Sequence, residues 1–388
     1  MRAPGCLFLR GGRNLSTEVP FDRREETEDE DVRVSTLELF FDLVFVFTLT
    51  QLTGLLAEEP SVERVAQIVL IFIILFWMYG GYVWLTNRVA PSQSARRVLL
   101  MLGMAGFMIC ALAIPEAFGD AGEAFGIGYL IVVLVHTGLY TQVFPPLVVL
   151  RFAPLNIVSA LCVIAAAFLD DLPAYSLWVV AIVVQFVTPA MAARVAPQLD
   201  IRTAHFVERH GLLLIVALGE SVVAIGVGLG HVPLEAGLFF AAVLGLSLAC
   251  GLWWTYFVAD ADHAEREMAN APSDRRFHLA INAYFYAYIP VLLGVVATAA
   301  GLEESIGHVT ETLDVGPAFA LGGGVAMYLV GALAFRRVMH LRPVAFRGAA
   351  AAVALATIPL GIEHSAAAQL TALVACLAVM LIAEDRRS

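Results

Sequence analysis

Charged residues are scarce in this chain of 388 residues. Asp, Glu, Lys and Arg make up 15% of the sequence and hydrophobic residues 60%, whereas about a quarter of a typical soluble protein is charged. Lysine is absent, so all 23 basic residues are arginines. The mean hydropathy is +0.82, and several uncharged windows are long enough to cross about 30 Å of hydrocarbon. The composition predicts an all-α, polytopic membrane protein in contact with the lipid bilayer.

Cysteines and catalytic motifs are also few. Four of the five cysteines lie in apolar segments, without the spacing of a disulfide framework or a zinc site. The stretch HFVERH (His205–His210) matches no zinc-protease pattern, and GES (Gly219–Ser221) lacks the frame of a nucleophile elbow. P-loop and dinucleotide fingerprints are missing as well. We therefore predict no metal, no cofactor and no nucleic-acid partner, and the motifs favour a function other than catalysis.

Twelve apolar windows predict twelve transmembrane helices. They fall at 36–56, 65–86, 97–117, 122–144, 147–168, 173–193, 203–230, 234–259, 278–301, 316–337, 342–361 and 365–383. We divide them into a first six-helix repeat at 35–193 and a second at 204–384, joined by a cytoplasmic linker at 194–203. Residues 1–34 contain the run EETEDED and are expected to form a disordered acidic tail.

Arginines are concentrated in alternate connections between these windows. Examples are Arg96 with Arg97, Arg194 with Arg202, and the pair at 336–337. The intervening connections are acidic, as in AEEPSVE and LEESIGHVTETLD. Because short loops rich in arginine stay in the cytoplasm, the pattern predicts that both termini are cytoplasmic.

The two sets of six windows resemble each other. Three pairs of segments match in the same order: 37–46 with 207–216, 75–82 with 251–258, and 95–102 with 274–281. The first match aligns Glu38 with Glu208 in sequence. An even number of helices per repeat predicts parallel repeats, related by an axis along the membrane normal, and such folds place the substrate at the repeat interface. Duplication that explains only the architecture remains the alternative.

The stretch Ser35–Leu56 is apolar enough to enter a membrane, yet it carries Glu38, Asp42 and Gln51. A charged side chain at mid-membrane costs at least ~2.5–3.5 kcal/mol, so each one needs a physical reason. The spacing of four residues places Glu38 and Asp42 on one helix face, which we expect to point into the bundle. Water, a cation or Arg209 could compensate them there.

The seventh window repeats this pattern with Glu208, Arg209 and His210. It adds Glu220, about 18 Å beyond Glu208 at 1.5 Å per residue, as the deepest predicted acid. Two interpretations of Glu220 remain open: a neutral carboxylic acid hydrogen-bonded to a neighbouring helix, or an ion or proton site. We expect His136, in the middle of the fourth window, to be a hydrogen-bonded core residue.

Other polar residues in the apolar windows have simpler interpretations. We predict that Asn156, Gln185 and Asn282 form hydrogen bonds between helices. Arg151 and Arg347 lie near predicted cytoplasmic helix ends, where we expect their side chains to extend to the aqueous interface.

The segment VSTLELFFDLVFVFTLTQLTGLL, together with the later ERHGLLLIVALGES and LWWTYF, resembles the bacterial low temperature requirement A (LtrA) family. The resemblance covers about residues 33–384 and leaves out the acidic tail. It implies a multi-pass protein of a prokaryotic cell membrane, linked by its name to growth in the cold. It implies no substrate.

A second resemblance concerns the same segment. LFFDLVFVFTLT is similar to the F-S-D first-helix motif of a lysosomal-type potassium and proton channel family, which is also built from two six-helix repeats. The resemblance would place Phe41 and Asp42 near a conduction path. This chain departs from the motif in having Phe41 next to Asp42 instead of serine, and the second half has Gly211–Leu212 there, without an acid.

These observations favour a transporter or channel for a small cation, linked to protons. A structural or assembly protein whose buried acids serve only packing is the alternative, followed by a membrane-embedded lipid-modifying enzyme. The oligomeric state stays open. The candidate ion or proton pathway comprises Glu38, Asp42, Gln51, His136, Glu208, Arg209, His210 and Glu220.

Overall fold

The computed structural model describes residues 34–89, 93–143, 145–192, 201–230, 236–258 and 260–387. These ranges consist of helices and the turns between them, without any strand, as the composition predicts. Apart from Val34, the predicted acidic tail lies outside the described residues, and so does most of the predicted linker at 194–203. From Val34 onward the chain forms one compact unit.

Six of the described helices make up the first half of the chain. They are α1 (Thr36–Glu58), α2 (Val62–Arg88), α3 (Ser94–Ala113), α4 (Gly122–Thr141), α5 (Pro146–Ala166) and α6 (Asp171–Ala192). A 3₁₀ turn, Ile114–Glu116, extends α3. Each helix agrees with its predicted window to within a few residues.

The second half contains α7 (Thr203–Leu229), α8 (Ala236–Phe257), α9 (Asp260–Asn270), α10 (Ser273–Ile281), α11 (Tyr288–Gly307), α12 (Val315–Val338), α13 (Ala345–Ala356), α14 (Ile358–Glu363) and α15 (Ala366–Asp385). The stretch 260–277, which the sequence predicted to lie between two spans, holds α9 and the beginning of α10. A π-helical turn, Asn282–Tyr286, connects α10 to α11.

Eleven helical segments among the described residues are long and apolar enough to cross a membrane. The helix α6 corresponds to the remaining predicted span, and its described apolar part, Asp171–Val187, is shorter than the other eleven. The protein is therefore a multi-pass membrane protein, with eleven to twelve such helices among the described residues.

The first acid of α1 helps to start that helix. Ser35 is the N-cap, and its Oγ accepts a hydrogen bond from the backbone N–H of Glu38 at 3.3 Å. The Glu38 side chain returns a bond, because its Oε2 accepts from the backbone N–H of Ser35 at 3.0 Å. This reciprocal pair satisfies two backbone donors that a helix end otherwise leaves unbonded. It also holds the Glu38 carboxylate at one end of the bundle.

Helices α1, α7 and α11 form the centre of the bundle. The helix α1 packs against α2, α3, α7 and α11, while α7 packs against α8 and α11. The helices α11 and α12 approach closely at four glycines, where an added Cβ would lie 2.5–2.8 Å from a backbone nitrogen of the other helix: Gly294, Gly301, Gly324 and Gly331. Small residues permit this approach in membranes. Gly106 and Gly128 likewise permit a close approach between α3 and α4.

Two of the three predicted interhelical hydrogen bonds are present. Asn156 on α5 accepts one from the Trp77 indole on α2 at 3.3 Å. Gln185 on α6 donates one to the hydroxyl of Tyr129 on α4. The prediction for Asn282 was wrong: it lies exposed in the π-helical turn and makes no side-chain hydrogen bond within the described residues.

Candidate functional site

Arg209 on α7 lies at the centre of a buried ion-pair cluster with two acids of α1. Its Nη1 is 2.9 Å from Oε1 of Glu38, and its Nη2 is 3.0 Å from Oδ1 of Asp42. Its Nε donates to the same Asp42 oxygen at 3.3 Å. No side chain of the three is more than 3% exposed. The spacing of four residues on α1 lets one guanidinium reach both carboxylates.

Helix α2 contributes two further hydrogen-bonding side chains to this Arg209 cluster. The Tyr79 hydroxyl donates to Oδ1 of Asp42 at 2.9 Å, and the Thr86 hydroxyl accepts a hydrogen bond from Nη1 of Arg209. The guanidinium carbon also lies 5.8 Å from the ring centre of Phe41 and 6.0 Å from that of Tyr79. The cluster therefore ties α1, α2 and α7 together through hydrogen bonds, charge and cation–π contacts.

His205 adds a further polar contact, and its neighbours assign its tautomer. The Asn87 Oδ1 accepts from the backbone N–H of Arg202 at 3.0 Å, so the Asn87 Nδ2 is a donor. That Nδ2 lies 3.2 Å from Nδ1 of His205, which must accept. A neutral His205 then carries its proton on Nε2, and this atom faces Oε2 of Glu38 at 3.4 Å.

The Arg209 cluster is one positive charge short. With both carboxyls ionised and His205 neutral, two negative charges face the single positive charge of Arg209. The Oδ2 atom of Asp42 is buried and has no hydrogen-bond partner among the described residues. An unpaired buried charge is costly, so this arrangement can take up one proton or hold one small cation.

Glu220 lies further along α7, away from the Arg209 cluster. Its side chain is 6% exposed, and its Oε2 accepts a hydrogen bond from the Thr50 hydroxyl of α1 at 2.7 Å. Within the described part of the chain this is its single hydrogen bond, and no arginine or histidine there forms an ion pair with it.

Further acids lie toward the end of the bundle that is opposite Arg209, and one of them is near Glu220. The Glu303 carboxylate on α11 interacts electrostatically with those of Glu220, Glu304 and Glu58. Helices α7 and α11 touch here, because a Cβ on Gly228 would collide with the Glu303 carbonyl oxygen. Glu220 therefore faces negative charge on this side, which favours the approach of cations.

The two predicted histidines lie elsewhere, in the wall of an aromatic cavity of about 100 Å³. His136 is buried, as predicted, and its Nε2 lies against the backbone of Gly81. His210 donates from Nδ1 to the Phe206 carbonyl one turn earlier, at 2.8 Å. Neither histidine forms an ion pair or hydrogen bond with Glu38, Asp42 or Glu220 in the described structure.

Glu208 and Gln51, the last two predicted site residues, belong neither to the Arg209 cluster nor to the wall of the aromatic cavity. Glu208, the residue that aligns with Glu38, is exposed, and the contact with Glu38 is made by the neighbouring Arg209. The reason is geometric: neighbouring residues of a helix with 3.6 residues per turn point about 100° apart, and α7 turns Arg209 toward α1 and Glu208 outward. Gln51 is half-buried.

A second buried cluster went unnoticed in the sequence. Asp260 on α9 lies 2.9 Å from Nε of Arg336 and 2.6 Å from Nη1 of Arg347. Glu384 on α15 lies 3.1 Å from Nη1 of Arg336 and 3.1 Å from Nε of Arg347. The prediction that Arg347 extends to the interface was wrong, since its side chain is 1% exposed. The available signal was the position of both acids at the ends of apolar windows.

This Asp260 cluster differs from the Arg209 cluster in its charge. Two carboxylates face two guanidinium groups, and Arg347 also donates to the Thr255 carbonyl at 2.7 Å. The balanced charges indicate a structural role for the second cluster. In the part of the chain that the structure describes, no group of three or more His, Cys, Asp or Glu residues is arranged to hold a metal ion.

Comparison with known proteins identifies the family of this chain. The family model of the bacterial low temperature requirement A protein (LtrA) matches residues 33–382. The chain belongs to the LtrA family. An uncharacterized protein of Rhizobium meliloti (strain 1021) is 27% identical over 330 residues, which cover 81% of this chain and 80% of that relative. No solved structure matches the chain. The LtrA match includes the Arg209 cluster and Glu220.

Proposed function

We propose that this LtrA-family protein is a transporter or channel for a small cation, linked to protons, in the cytoplasmic membrane. The family name associates it with growth at low temperature. The proposed pathway uses Glu220 with Thr50 and, toward the other end, Glu38, Asp42 and Arg209.

The environment of Glu220 is the observation that carries this proposal. Its carboxyl group is buried between the first and seventh helices and has one hydrogen bond, from Thr50. A carboxylate buried without a positive partner must take up a proton or bind a cation, because the bare charge is costly in a membrane interior. Packing alone would be served better by a neutral side chain.

The acids near Glu220 supply an entry. Glu58, Glu303 and Glu304 lie at the ends of α1 and α11 that face it. A group of like charges raises the local concentration of ions of the opposite sign. We infer that a cation reaches Glu220 from this side.

The Arg209 cluster closes the opposite end of the route. Both Glu220 and Arg209 make contacts between α1 and α7, so a path between these helices opens only when the ion pairs of Arg209 with Glu38 and Asp42 break. A proton on Asp42 removes half of that attraction. Because the Arg209 cluster lacks one positive charge, it can take up a proton, and this uptake offers a means of coupling proton movement to the opening of the path between α1 and α7.

We further propose two parallel six-helix repeats with both termini in the cytoplasm. In each half the first membrane helix packs on the third: α1 packs on α3, and α7 packs on α11. The following pairs, α3 with α4 and α11 with α12, both meet at glycines. The alternation of arginine-rich and acidic connections supports the orientation.

A structural or assembly protein is the second candidate. The balanced charges of Asp260, Arg336, Arg347 and Glu384 favour it, because they join four helices without leaving a charge for an ion to satisfy. The same logic would apply to the whole chain if Glu220 served only as a neutral hydrogen-bond acceptor.

Flux in proteoliposomes separates these two candidates. The purified full chain is reconstituted with a pH-sensitive and a cation-sensitive dye inside, and gradients of Na⁺, K⁺ and H⁺ are applied in turn. We expect cation entry with an accompanying pH change, both above the rates of vesicles without protein. Rates equal to those of empty vesicles under every gradient, with folded protein in the membrane, would favour the structural role.

A further inference from the structure

The aromatic cavity lies apart from the proposed ion path and has its own chemistry. Its wall is formed by α2, α4, α5, α7 and α10 together with the π-helical turn. Large rings supply most of this wall, among them Trp77, Trp84, Phe206 and Phe285. A π-helical turn inside a membrane helix frequently marks a functional site. The cavity therefore has the surface of a pocket for a flat, apolar group.

Two polar groups interrupt this aromatic wall. Asn156 accepts from the Trp77 indole through Oδ1, which leaves its NH₂ group as a donor without a partner in the described structure. His136 also lines the cavity, with its Nε2 against the backbone of Gly81, where an added Cβ would lie 2.7 Å from that atom. Buried polar groups are normally hydrogen-bonded, so the free NH₂ group of Asn156 indicates a ligand with a polar group of its own. The imidazole of His136 is the second polar group that such a ligand can meet.

The charge of the wall favours an uncharged ligand. The described residues that line the cavity include no Asp, Glu or Arg. An organic cation such as a quaternary ammonium would have cation–π contacts with these rings, but no carboxylate, to replace its lost hydration. An uncharged molecule meets no such penalty.

The volume limits the ligand to one ring at most. A cavity of about 150 Å³ accommodates benzene, and this one measures about 100 Å³, so a ring of the size of phenol fits only when the aromatic side chains around it move apart. We propose that the cavity binds a single uncharged ring of the phenol or quinone type, stacked among the aromatic side chains and hydrogen-bonded to Asn156 and His136. The ring belongs to a free small molecule or to the headgroup of a membrane-soluble quinone.

Ligand-observed ¹⁹F NMR on the purified full chain tests this site. The probes are 4-fluorophenol, 4-fluorotoluene, which lacks the hydroxyl, and the 4-fluorobenzyltrimethylammonium cation. We expect saturable broadening with 4-fluorophenol, weaker broadening with 4-fluorotoluene by roughly 2–10-fold in affinity for one hydrogen bond, and none with the cation. A cation that binds as tightly as the phenol would overturn the proposal.

Two variants and a control locate the binding. Ala280→Phe places a ring in the cavity from α10 and should abolish saturable binding of 4-fluorophenol. The same change at Ala375, on an exposed face of α15, should leave binding intact. If the Ala280→Phe protein melts at the temperature of the Ala375→Phe protein and still binds the phenol, the cavity is not the site.

His136→Phe tests the hydrogen bond without filling the cavity. A phenylalanine retains the ring contacts to Tyr82 and Tyr140, whose centres lie 5.2 and 4.5 Å away, but has no ring nitrogen. We expect the preference for 4-fluorophenol over 4-fluorotoluene to fall. An unchanged preference in this variant and in Asn156→Leu would reject the proposed contacts.

Competition identifies the source of the ring. A benzoquinone with a prenyl tail and the same quinone without a tail are each added to the protein with 4-fluorophenol bound. Stronger displacement by the tailed compound supports a membrane quinone, and equal displacement supports a free small molecule. Displacement by neither compound would overturn the quinone part of the proposal.

Discussion

The Thr50 hydroxyl on α1 donates a hydrogen bond to the Glu220 carboxylate on α7 over 2.7 Å, between residues that lie 170 positions apart in the chain. The same two helices meet again at Arg209, which pairs with Glu38 and Asp42. In the first contact Glu220 has no positively charged partner among the described residues, and in the second the single charge of Arg209 neutralises Glu38 and Asp42 only in part. The proposed function rests on these two contacts.

The Thr50 hydroxyl should matter through its hydrogen bond. Thr50→Val keeps the shape of the side chain but leaves the Glu220 carboxyl without its donor, which should lower the free energy of unfolding by about 1–3 kcal/mol and reduce cation flux. Thr50→Ser retains a hydroxyl and should keep most of the flux. Both variants are measured in proteoliposomes and by thermal unfolding, and equal flux in the two would show that the bond has no part in transport.

Arg209 should be far more important for stability than an exposed arginine. Arg209→Leu leaves Glu38 and Asp42 buried without a guanidinium and should reduce the free energy of unfolding by about 3–5 kcal/mol. Arg151→Leu, at an exposed position of α5, should change it by less than about 0.5 kcal/mol. Unfolding in detergent is followed by circular dichroism, and similar values for the two variants would contradict the pairing in the Arg209 cluster.

The Asp260 cluster offers a matched comparison on adjacent residues. Glu384→Gln removes the charge that meets Arg336 and Arg347 and should destabilise the protein by about 2 kcal/mol, as expected for a charge-assisted hydrogen bond. Asp385→Asn makes the same chemical change at the exposed neighbouring residue and should have little effect. If Glu384→Gln also abolishes flux in folded protein, the assignment of this cluster to structure is wrong.

Membrane orientation follows from the arginine pattern and can be tested directly. Reporter fusions in the connections 58–63 and 303–314 should report an extracytoplasmic position, and those at 88–96 and 266–276 a cytoplasmic one. One reversed connection would contradict the proposed twelve-helix topology.

Apolar windows in the sequence predicted the membrane helices well, because a window about 20 residues long has few alternatives to a membrane helix. The shared face of Glu38 and Asp42 was also predictable, since it follows from positions four apart on one helix. Hydropathy alone did not reveal α9, whose polar sequence resembles that of an aqueous loop.

Contacts between distant helices were harder to predict. The alignment of the two halves matched Glu38 with Glu208 and did not show which side of α7 faces α1: Arg209 faces Glu38, and Glu208 points outward. The Asp260 cluster depends on four separate helices, and no local spacing reveals such a meeting. His136 and His210 line one cavity because α4 and α7 approach it from different sides, which their sequence positions do not show.

The central claim is that the buried carboxyl of Glu220 carries a proton or a cation. The most direct measurement compares cation and proton flux in proteoliposomes for Glu220→Gln and Glu208→Gln. The two changes are chemically identical and lie on the same helix, one at a buried and one at an exposed residue. Glutamine can still accept the Thr50 hydrogen bond but cannot ionise. The account predicts folded protein in both cases, with flux lost in Glu220→Gln and retained in Glu208→Gln. Normal flux in folded Glu220→Gln protein would contradict it.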